Sequence, residues 1–365
     1  MISQRSERNA AVIMEALPSE CRERKLACIP FIVGLTYDLK ERYLADGYSM
    51  EEVAELDSPE TIDAIDSALR SCGYETVRIG NVKDLVHALS MGKRWDIVFN
   101  IAEGMHGLCR EAQIPALLDA YRIPYVFSDS ITLVVTLHKG LAKQVVHSHG
   151  VPTADYVVIT HIEQLAEVEL QFPLFIKPVG GGTGIGIDGD SMVTTAEALH
   201  DGVLRLLKNH DQPVLVETYL SGREFTVGVL GTGKGSRSIG VMEIVVDNTS
   251  DRGIYSYHTK KHYLESTTYR QVEGELAAAC EKVALGAWRA LDCRDGGRVD
   301  VRMDELGNVN FLEVNPLAGL HPIDSDLPIL ASMHGLDYRD LIRMIMEFAC
   351  DRLGLEYGKI HSAIA

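Results

Sequence analysis

The chain has 365 residues, of which 46% are apolar and 24% charged, so it is expected to fold as a globular protein of two or three domains. Its 52 acidic and 35 basic residues give a formal charge of −17, which disfavours nucleic acid as the main partner. Seven scattered cysteines without a C-x-x-C pair predict neither a disulfide framework nor a zinc site. No uncharged apolar stretch reaches about 18 residues. We therefore expect a cytoplasmic protein without a membrane span.

Short β-rich runs alternate with helical patterns between residues 30 and 150. Strands are predicted near Phe31–Leu35, Thr76–Ile79, Ile97–Ile101 and Tyr125–Phe127, and helices near Thr61–Leu69, Val82–Met91 and Glu111–Tyr121. This alternation predicts a parallel sheet flanked by helices. A further helix over about Leu137–His149 ends at Gly150. We place a domain boundary just before it.

From Asp155 onward the strands follow one another more closely, which indicates antiparallel α+β structure. Strands are predicted at Tyr156–Ile159, Leu174–Val179, Val214–Glu217, Glu224–Leu230, Ile239–Val246, Arg298–Met303 and Val309–Glu313, and helices at Gly274–Leu291 and Tyr338–Leu353. The polar segment Asn248–Thr268 lacks a firm period and is predicted to be a long loop of the kind that serves as a lid.

A glycine-rich segment, F-I-K-P-V-G-G-G-T-G-I-G-I, follows one of these strands at residues 175–187. Its glycines let backbone N–H groups approach an anion without a Cβ in the way, and Lys177 adds a positive charge. The segment therefore predicts a phosphate-binding loop. No G-K-[ST] follows, which excludes a Walker A loop, and strand-like Ile185–Ile187 stands where a dinucleotide fingerprint would begin a helix. The alternative is a flexible hairpin loop.

Paired carboxylates mark the segment R-V-D-V-R-M-D-E-L-G-N-V-N-F-L-E-V-N-P. If residues 306–307 form the tip of a hairpin, Asp300 lies opposite Glu313, and Arg298 and Asn315 share their face. Facing like charges destabilise a ladder, so the arrangement makes sense if a cation lies between them. Oxygen-only ligands indicate Mg²⁺ or Mn²⁺ bound together with substrate phosphates. The alternative is a solvated hairpin with unrelated surface acids.

Two further pairs are weaker signals. Glu217 near the end of one strand and Glu224 on the next are predicted to lie close to a chain reversal. There they either accept hydrogen bonds from a purine and a ribose or are exposed to solvent. Lys139 and Lys143 share a helix face and either reach a phosphate or flank a solvated surface. The histidines lack the context of metal ligands.

Taken together and in this order, the motifs resemble the ATP-grasp superfamily and, within it, the D-alanyl-D-alanine ligases. They are Lys139, the Lys177 loop, Glu217 with G-R-E-F-T-V-G-V-L-G, R-V-D at 298–300 and L-E-V-N-P at 312–316. The resemblance implies an α/β fold with α+β parts. It comprises a Rossmann-like parallel-sheet domain over residues 1–136, a central ATP-grasp subdomain with the glycine loop over 137–217, and a C-terminal ATP-grasp subdomain with metal site and lid over 218–365.

The resemblance also implies residue roles. The implied contacts of the phosphates are Lys139, Lys177 and the loop residues Gly181, Gly182, Thr183 and Gly184. The implied contacts of adenine are Glu217, Thr218, Tyr219 and Leu220, and Glu224 is implied to contact the ribose. The implied ligands of two Mg²⁺ ions, with Mn²⁺ as the other possible metal, are Asp300, Glu313 and Asn315. Arg298 and the N–H of Gly319 are implied to stabilise a tetrahedral intermediate, and Lys260, in a mobile loop at Tyr255–Lys260, to lie near the γ-phosphate.

The implied reaction has two steps. A carboxylate attacks the γ-phosphate of ATP to give an acyl phosphate and ADP, and an amine then attacks the acyl carbon to form an amide. Loop closure excludes water, because acyl phosphates hydrolyse. The family resemblance also favours a homodimer.

The substrate side departs from the family. The glutamate that follows a Gly-Gly turn in the family is missing, and the segment there reads L-T-Y-D-L-K-E with Asp38. The family's H-G-x-x-G-E-D-G is replaced by N-I-A-E-G-M-H-G-L-C-R-E-A-Q, residues 100–113, which contains Glu103. The family's serine and tyrosine partners become Thr183 and Lys261, and its serine-leucine pair becomes Asp324-Ser325. With Tyr255, these are the predicted substrate contacts. We expect amino-acid-like substrates other than D-alanine, with an additional carboxylate facing Lys261 and an amine facing Asp324.

Two alternatives come from other classes. A nonenzymatic nucleotide-binding regulator with an ATP-grasp shell would not need the complete set of Arg298, Asp300, Glu313 and Asn315. A nicotinamide-dependent oxidoreductase would need a glycine fingerprint after the first strand, and Leu35–Glu41 contains none.

Overall fold

The computed structural model describes residues 31–182, 184–246 and 267–355. Its first sheet has three parallel strands in the order β2-β1-β3, formed by β1 (Ile32–Thr36), β2 (Glu75–Gly80) and β3 (Ile97–Asn100). The connecting helices are α1 (Lys40–Ala45), α2 (Pro59–Ser71), α3 (Val82–Ser90), α4 (Gln113–Tyr121) and α5 (Ser130–Leu137). The predicted parallel sheet is confirmed. The fourth predicted strand is wrong, because there only Tyr125 forms an isolated parallel bridge, to Val98.

Local capping explains where these helices begin. The Ser58 hydroxyl accepts the N–H of Thr61 at the start of α2, and Asn81 and Asp84 form a capping box at the start of α3. Helix α5 was not predicted, because its sequence S-I-T-L-V-V-T-L is rich in β-branched residues. The Asp129 carboxylate accepts the N–H of Thr132 and fixes its first turn.

The second sheet is antiparallel and has the order β4-β7-β5-β6. Its strands are β4 (Tyr156–Ile159), β5 (Leu174–Pro178), β6 (Met192–Val193) and β7 (Val214–Thr218), with α6 (Lys139–Ser148) before it and α7 (Ala196–His210) packed on it. Residues 185–187 do not form the expected strand. They lie in and just after a turn at 184–186, in which Gly184 and Gly186 have φ of 71° and 74°, a backbone region that glycine enters without steric cost.

The third sheet has five antiparallel strands in the order β10-β9-β8-β11-β12. They are β8 (Glu224–Leu230), β9 (Arg237–Val246), β10 (Thr267–Val272), β11 (Gly296–Met303) and β12 (Val309–Asn315), accompanied by α8 (Gly274–Ala290), α9 (Asp326–Met333) and α10 (Tyr338–Leu353). Trp288 of α8 is fully buried in the core against this sheet. The predicted long loop falls mostly outside the described residues, and its last two residues, Thr267 and Thr268, belong to β10.

The hairpin of β11 and β12 has the predicted register where it matters. Asp300 is paired with Glu313, and Arg298 with Asn315. A bulge follows Asp300, so the pairing shifts by one residue from Val301 toward the turn. Bulges of this kind re-aim side chains next to sites. The two carboxylates therefore face each other across neighbouring strands.

Within the described ranges, none of the helices combines the length and the apolar character that crossing a membrane requires. The division into three domains at residues 137 and 218 stays a prediction.

Candidate active site

Two cavities meet between the second and third sheets. The larger has a volume of about 500 Å³ and the smaller about 70 Å³. Both are lined by Lys139, Gly181, Gly182 and Glu313. A long ligand can therefore extend from one cavity into the other past these four residues.

The smaller cavity is a slot for a flat group. The rings of Phe175 and Tyr219 are stacked with centroids 6.2 Å apart and an angle of 22°, and Leu220 and Ile244 add apolar wall. Thr218 also lines the slot, so the segment predicted to contact a base borders this cavity. Stacked rings with aliphatic neighbours suit an aromatic heterocycle.

Arg302 is a residue of this slot that the sequence analysis missed. Its Nη1 lies 3.0 Å from the Glu224 Oε2, and its guanidinium lies 5.3 Å from the centre of the Tyr219 ring. Strand periodicity places Arg302 on the same face as Arg298 and Asp300, so the pattern R-V-D-V-R contained the signal. Glu224, predicted at a ribose, is thus held in place by a planar cation.

Glu217 is buried between two lysines. Its carboxylate oxygens lie 2.7 Å from the Lys143 Nζ and 2.8 Å from the Lys177 Nζ. Burial alone would raise the pKa of Glu217, but the two ammonium groups outweigh it and lower the pKa to about 2. Burial lowers the pKa of Lys143, whereas for Lys177 the nearby Glu217 and Glu313 outweigh burial and raise the pKa. The solvated alternative for Lys143 is therefore wrong, because its side chain is fully buried.

The glycine loop carries polar groups to the junction of the cavities. The Lys139 Nζ donates to the Gly181 carbonyl at 2.5 Å and lies 3.5 Å from the Glu313 carboxylate. The Gly182 N–H donates to the Glu55 carboxylate, which is also paired with Arg110. Sequence reasoning missed Glu55, which belongs to no motif, and gave no role to Arg110, which lies in the segment 100–113 that replaces a motif of the family. Burial lowers the pKa of Lys139 despite the neighbouring Glu313.

Asp300 is the centre of a polar network on the hairpin. It is paired with Arg298, accepts the Thr226 hydroxyl at 2.8 Å and accepts the Asn315 amide at 3.3 Å. Nearby acids raise the pKa of Arg298 although its burial opposes this. Across the residues that the structure describes, no three His, Cys, Asp or Glu side chains cluster as a metal site. Two facing carboxylates and one amide nevertheless fit a hard divalent cation that takes its other ligands from phosphates and water.

Acidic side chains dominate one wall of the larger cavity. Asp57, Glu103 and Glu111 line it, and the Glu111 carboxylate lies 3.8 Å from the Arg110 guanidinium. Burial raises the pKa of Asp57 to about 7. Burial and the neighbouring acids raise the pKa of both Glu103 and Glu111. The acids that line this cavity therefore outnumber its lining cations, which are Lys40, Lys139 and Arg298.

The loop after β12 also lines the larger cavity. Gly319, Asp324 and Ser325 line the larger cavity together with Arg298, so four predicted residues are brought together there. A Cβ at Gly319 would lie 2.8 Å from the Ser325 Oγ, so a side chain at position 319 would displace the Ser325 hydroxyl. Asn315 joins them from the end of β12.

Some predicted residues lie elsewhere. Asp38 is buried, is not among the residues lining either cavity, and accepts hydrogen bonds from the Tyr43 hydroxyl and the Gly104 N–H. The other four are outside the described residues, and their roles stay predictions: Thr183, Tyr255, Lys260 and Lys261.

Comparison with known proteins adds a family. Residues 145–347 match the family model described as the D-ala D-ala ligase C-terminus. A D-alanine–D-alanine ligase of Aquifex aeolicus is 32% identical over 291 residues, covering 79% of this chain and 94% of the relative. A Bacillus anthracis D-alanine–D-alanine ligase solved with ATP has a TM-score of 0.67 at 22% identity, covering 90% of this chain and all of the other. The VanG D-Ala:D-Ser ligase of Enterococcus faecalis has a TM-score of 0.68 at 19% identity, covering 88% and 99%. These solved structures show that the fold is an ATP-grasp fold.

Proposed function

This chain belongs to the D-alanine–D-alanine ligase family, and we propose that its two cavities hold ATP and a pair of amino-acid-like substrates other than two D-alanines. As a member of that family it is an ATP-dependent ligase that forms a carbon–nitrogen bond, and it works with a divalent metal. The regulator and the oxidoreductase are accordingly not favoured.

One observation carries the assignment of the cavities. Lys139, Gly182 and Glu313 line both of them, so a nucleotide with its base in the slot would extend its terminal phosphate toward the larger cavity. Adenine would stack in the slot beside Thr218–Leu220, and the ribose would meet Glu224. Lys139, Lys177 and the amides of the glycine loop would hold the phosphates. Substrates in the larger cavity would then lie next to the γ-phosphate.

Asp300, Glu313 and Asn315 are proposed to hold two Mg²⁺ ions, with Mn²⁺ as a substitute. Their oxygen donors face one another across paired strands, as hard cations require. When bound, the metal supplies charge neutralisation for the transferred phosphoryl group. Arg298 and Lys139 are paired with these same carboxylates, so they balance the negative charge of the hairpin.

The residues of this chain then support both steps. The carboxylate of the first substrate attacks the γ-phosphorus, the bond to the bridging oxygen of ADP breaks, and Lys139 and Lys177 stabilise the negative charge on the phosphates. The amine of the second substrate attacks the acyl carbon, with Arg298 and the Gly319 N–H donating to the oxyanion. Phosphate leaves as the amide forms. Lys260 is proposed to contact the γ-phosphate.

The walls of the larger cavity indicate the class of substrate. Its lining acids outnumber its lining bases, Glu103 and Glu111 are both close to Arg110, and Asp57 is close to Lys40. Buried carboxyl groups with raised pKa values are stabilised as carboxylates by a ligand that brings positive charge. We propose that one substrate carries an extra ammonium group, which faces this wall or Asp324. An additional substrate carboxylate is proposed to face Lys261.

Phosphate release across pairs of amino acids and dipeptides, with hydroxylamine to trap the acyl phosphate, tests the proposal. We expect diamino acids to give more ATP-dependent hydroxamate or amide than D-alanine. The Asp324→Ala and Lys261→Met variants should change this preference, whereas Glu305→Ala, at the exposed hairpin tip, should not. Unchanged preferences in both variants would contradict the proposed substrate contacts. No phosphate release with any pair would contradict the proposed reaction.

The oligomeric state and the cellular location complete the proposal. We propose a homodimer, which light scattering coupled to gel filtration would test against a mass of 40.2 kDa per chain. We also propose the cytoplasm as the site of action, because the cysteines of the described part are free thiols and the reaction consumes ATP.

A further inference from the structure

We propose that Glu55 is a positioning residue that fastens the glycine loop to the wall of the substrate cavity, so that the loop's place over ATP depends on that cavity. Glu55 lies in the irregular segment between α1 and α2 and belongs to none of the motifs. The inference rests on the proposed ATP site, and it adds a residue that couples the two halves of the reaction.

The contacts of Glu55 join three parts of the chain. One carboxylate oxygen accepts the N–H of Gly182, 127 residues away, and the other accepts the guanidinium of Arg110. The side chains of Glu55 and Arg110 are only 13% and 11% exposed. A Cβ at Gly182 would lie 2.7 Å from the Glu55 Oε1, so a side chain at position 182 would displace the Glu55 carboxylate from its present place. The contact is therefore built into both segments.

Glu55 acts as a tether because its charge is already balanced. An unpaired carboxylate on a loop amide would compete with a phosphate for that amide. Here Arg110 neutralises Glu55 in a charge-assisted hydrogen bond, so the carboxylate is held on the cavity wall. The loop residues Gly181, Gly184 and Gly186 have positive φ, and glycines lose much backbone entropy when a loop becomes ordered. The hydrogen bond between Gly182 and Glu55 restrains the loop beforehand, so less entropy is lost when the loop becomes ordered over ATP.

The other end of the tether reaches the substrate wall. Arg110 lies 3.8 Å from Glu111, and Glu103 and Glu111 line the larger cavity. A substrate that brings positive charge to these acids changes the partners available to Arg110, and through Arg110 it changes the hold on Glu55. Glu55 therefore links occupancy of the substrate cavity to the position of the loop, which restrains ATP consumption when no substrate is present.

The first test measures binding of Mg²⁺ and the nonhydrolysable analogue AMPPNP by titration calorimetry. We expect Glu55→Ala to weaken binding about tenfold, since a hydrogen bond with a charged partner is lost. Glu55→Gln keeps an acceptor for the Gly182 N–H but loses the negative charge beside Arg110. Its affinity for AMPPNP should therefore lie between those of the wild type and Glu55→Ala. Glu52→Gln is the matched control, because this exposed carboxylate of the same segment bonds only Ser49. It should bind like the wild type.

The second test measures the ratio of phosphate released to amide formed. Glu55→Ala should raise this ratio several-fold, which a purely structural residue would not do in a variant with unchanged thermal unfolding. If Glu55→Ala does not fold, Glu55→Gln is compared in both assays. Binding of AMPPNP as tight as in the wild type, or tighter, would overturn the proposal, and so would an unchanged ratio. The AMPPNP comparison stands even if no substrate pair reacts, so failure of the tether and failure of the proposed reaction are distinguishable.

Discussion

The two sides of the site bury charged groups in opposite ways. On the nucleotide side Glu217 has a lysine on each oxygen, at 2.7 and 2.8 Å, and its pKa is lowered to about 2. On the substrate side Asp57, Glu103 and Glu111 have a deficit of cations, and their pKa values are raised. The first side is ionised and balanced before any ligand binds. The second side is left to be completed by its ligand.

This difference follows from what each ligand supplies. A nucleotide brings negative phosphates, so lysines fixed beforehand by Glu217 attract it without rearrangement. An unbalanced buried carboxyl group avoids the cost of desolvation by keeping its proton, and it can lose that proton to water when an ammonium group binds beside it and stabilises the carboxylate. Balanced charge therefore indicates a fixed platform, and unbalanced charge indicates where specificity is decided.

The largest effect should come from breaking the balance at Glu217. Glu217→Gln leaves the fully buried Lys143 without its carboxylate, so we expect the free energy of unfolding to fall by about 3–5 kcal/mol in chemical denaturation. The double variant with Lys143→Met removes the buried cation too and should recover part of the loss. The exposed Glu169→Gln control should stay within about 0.5 kcal/mol of the wild type. A loss in Glu217→Gln no larger than in this control would refute the balanced platform.

The carboxylates of the hairpin should have the next largest effect, on activity. Glu313→Gln leaves the Arg298–Asp300 pair in place and removes one proposed metal ligand, so we expect kcat to fall about 10²–10³-fold. Binding of Mn²⁺ followed by electron paramagnetic resonance should weaken in parallel. Glu305→Gln at the hairpin tip serves as the control. Equal Mn²⁺ affinity in Glu313→Gln and the control would show that the metal is held elsewhere.

The unbalanced side should show itself in the pH dependence of stability. Because burial raises the pKa of Asp57 to about 7, the folded chain holds a proton that the unfolded chain has lost. Stability contributed by this group is therefore present below about pH 4 and declines as the pH rises toward 7. Asp57→Asn should remove a decline of about 4 kcal/mol between pH 4 and pH 7, measured by denaturation at several pH values. Exposed Asp46→Asn should keep the wild-type profile, and a profile shared by both variants would contradict the assignment.

The sequence predicts the nucleotide side of the site better than the substrate side. Asp300 and Glu313 were predicted to face each other because strand period and a turn residue fix a hairpin locally, and this pairing is confirmed. Between Val301 and the turn the register differs from the predicted one by one residue, and the bulge after Asp300 makes up the difference. Glu55, Arg110 and Glu111 could not be predicted as a group. They come from irregular or short helical segments, and only the tertiary fold brings Glu55 close to Arg110 and Glu111.

The helices show a related limit. The amphipathic patterns of α2, α3 and α10 predicted those elements, because an apolar stripe repeats with the helical period. Helix α5 was missed, because its β-branched residues favour a strand by propensity and tertiary burial decides otherwise. Local sequence patterns therefore predict the residues of the nucleotide side, where motifs lie on regular strands, better than those of the substrate side.

The smallest effect sharpens the comparison on the nucleotide side itself. Arg302 holds Glu224 at 3.0 Å and packs over Tyr219, but its contacts are with the proposed base and ribose region and not with the phosphate end. Arg302→Met should therefore raise the KM for ATP about tenfold and leave kcat nearly unchanged, because it removes binding shared by ground and transition states. Arg302→Lys keeps the positive charge but loses the planar guanidinium group, so its KM for ATP should lie between those of the wild type and Arg302→Met. Arg270→Met, on the exposed edge strand β10, should leave KM unchanged. If kcat fell in Arg302→Met while KM stayed constant, the slot would take part in the chemistry, and the separation between a fixed binding platform and a reactive, ligand-completed cavity would not hold.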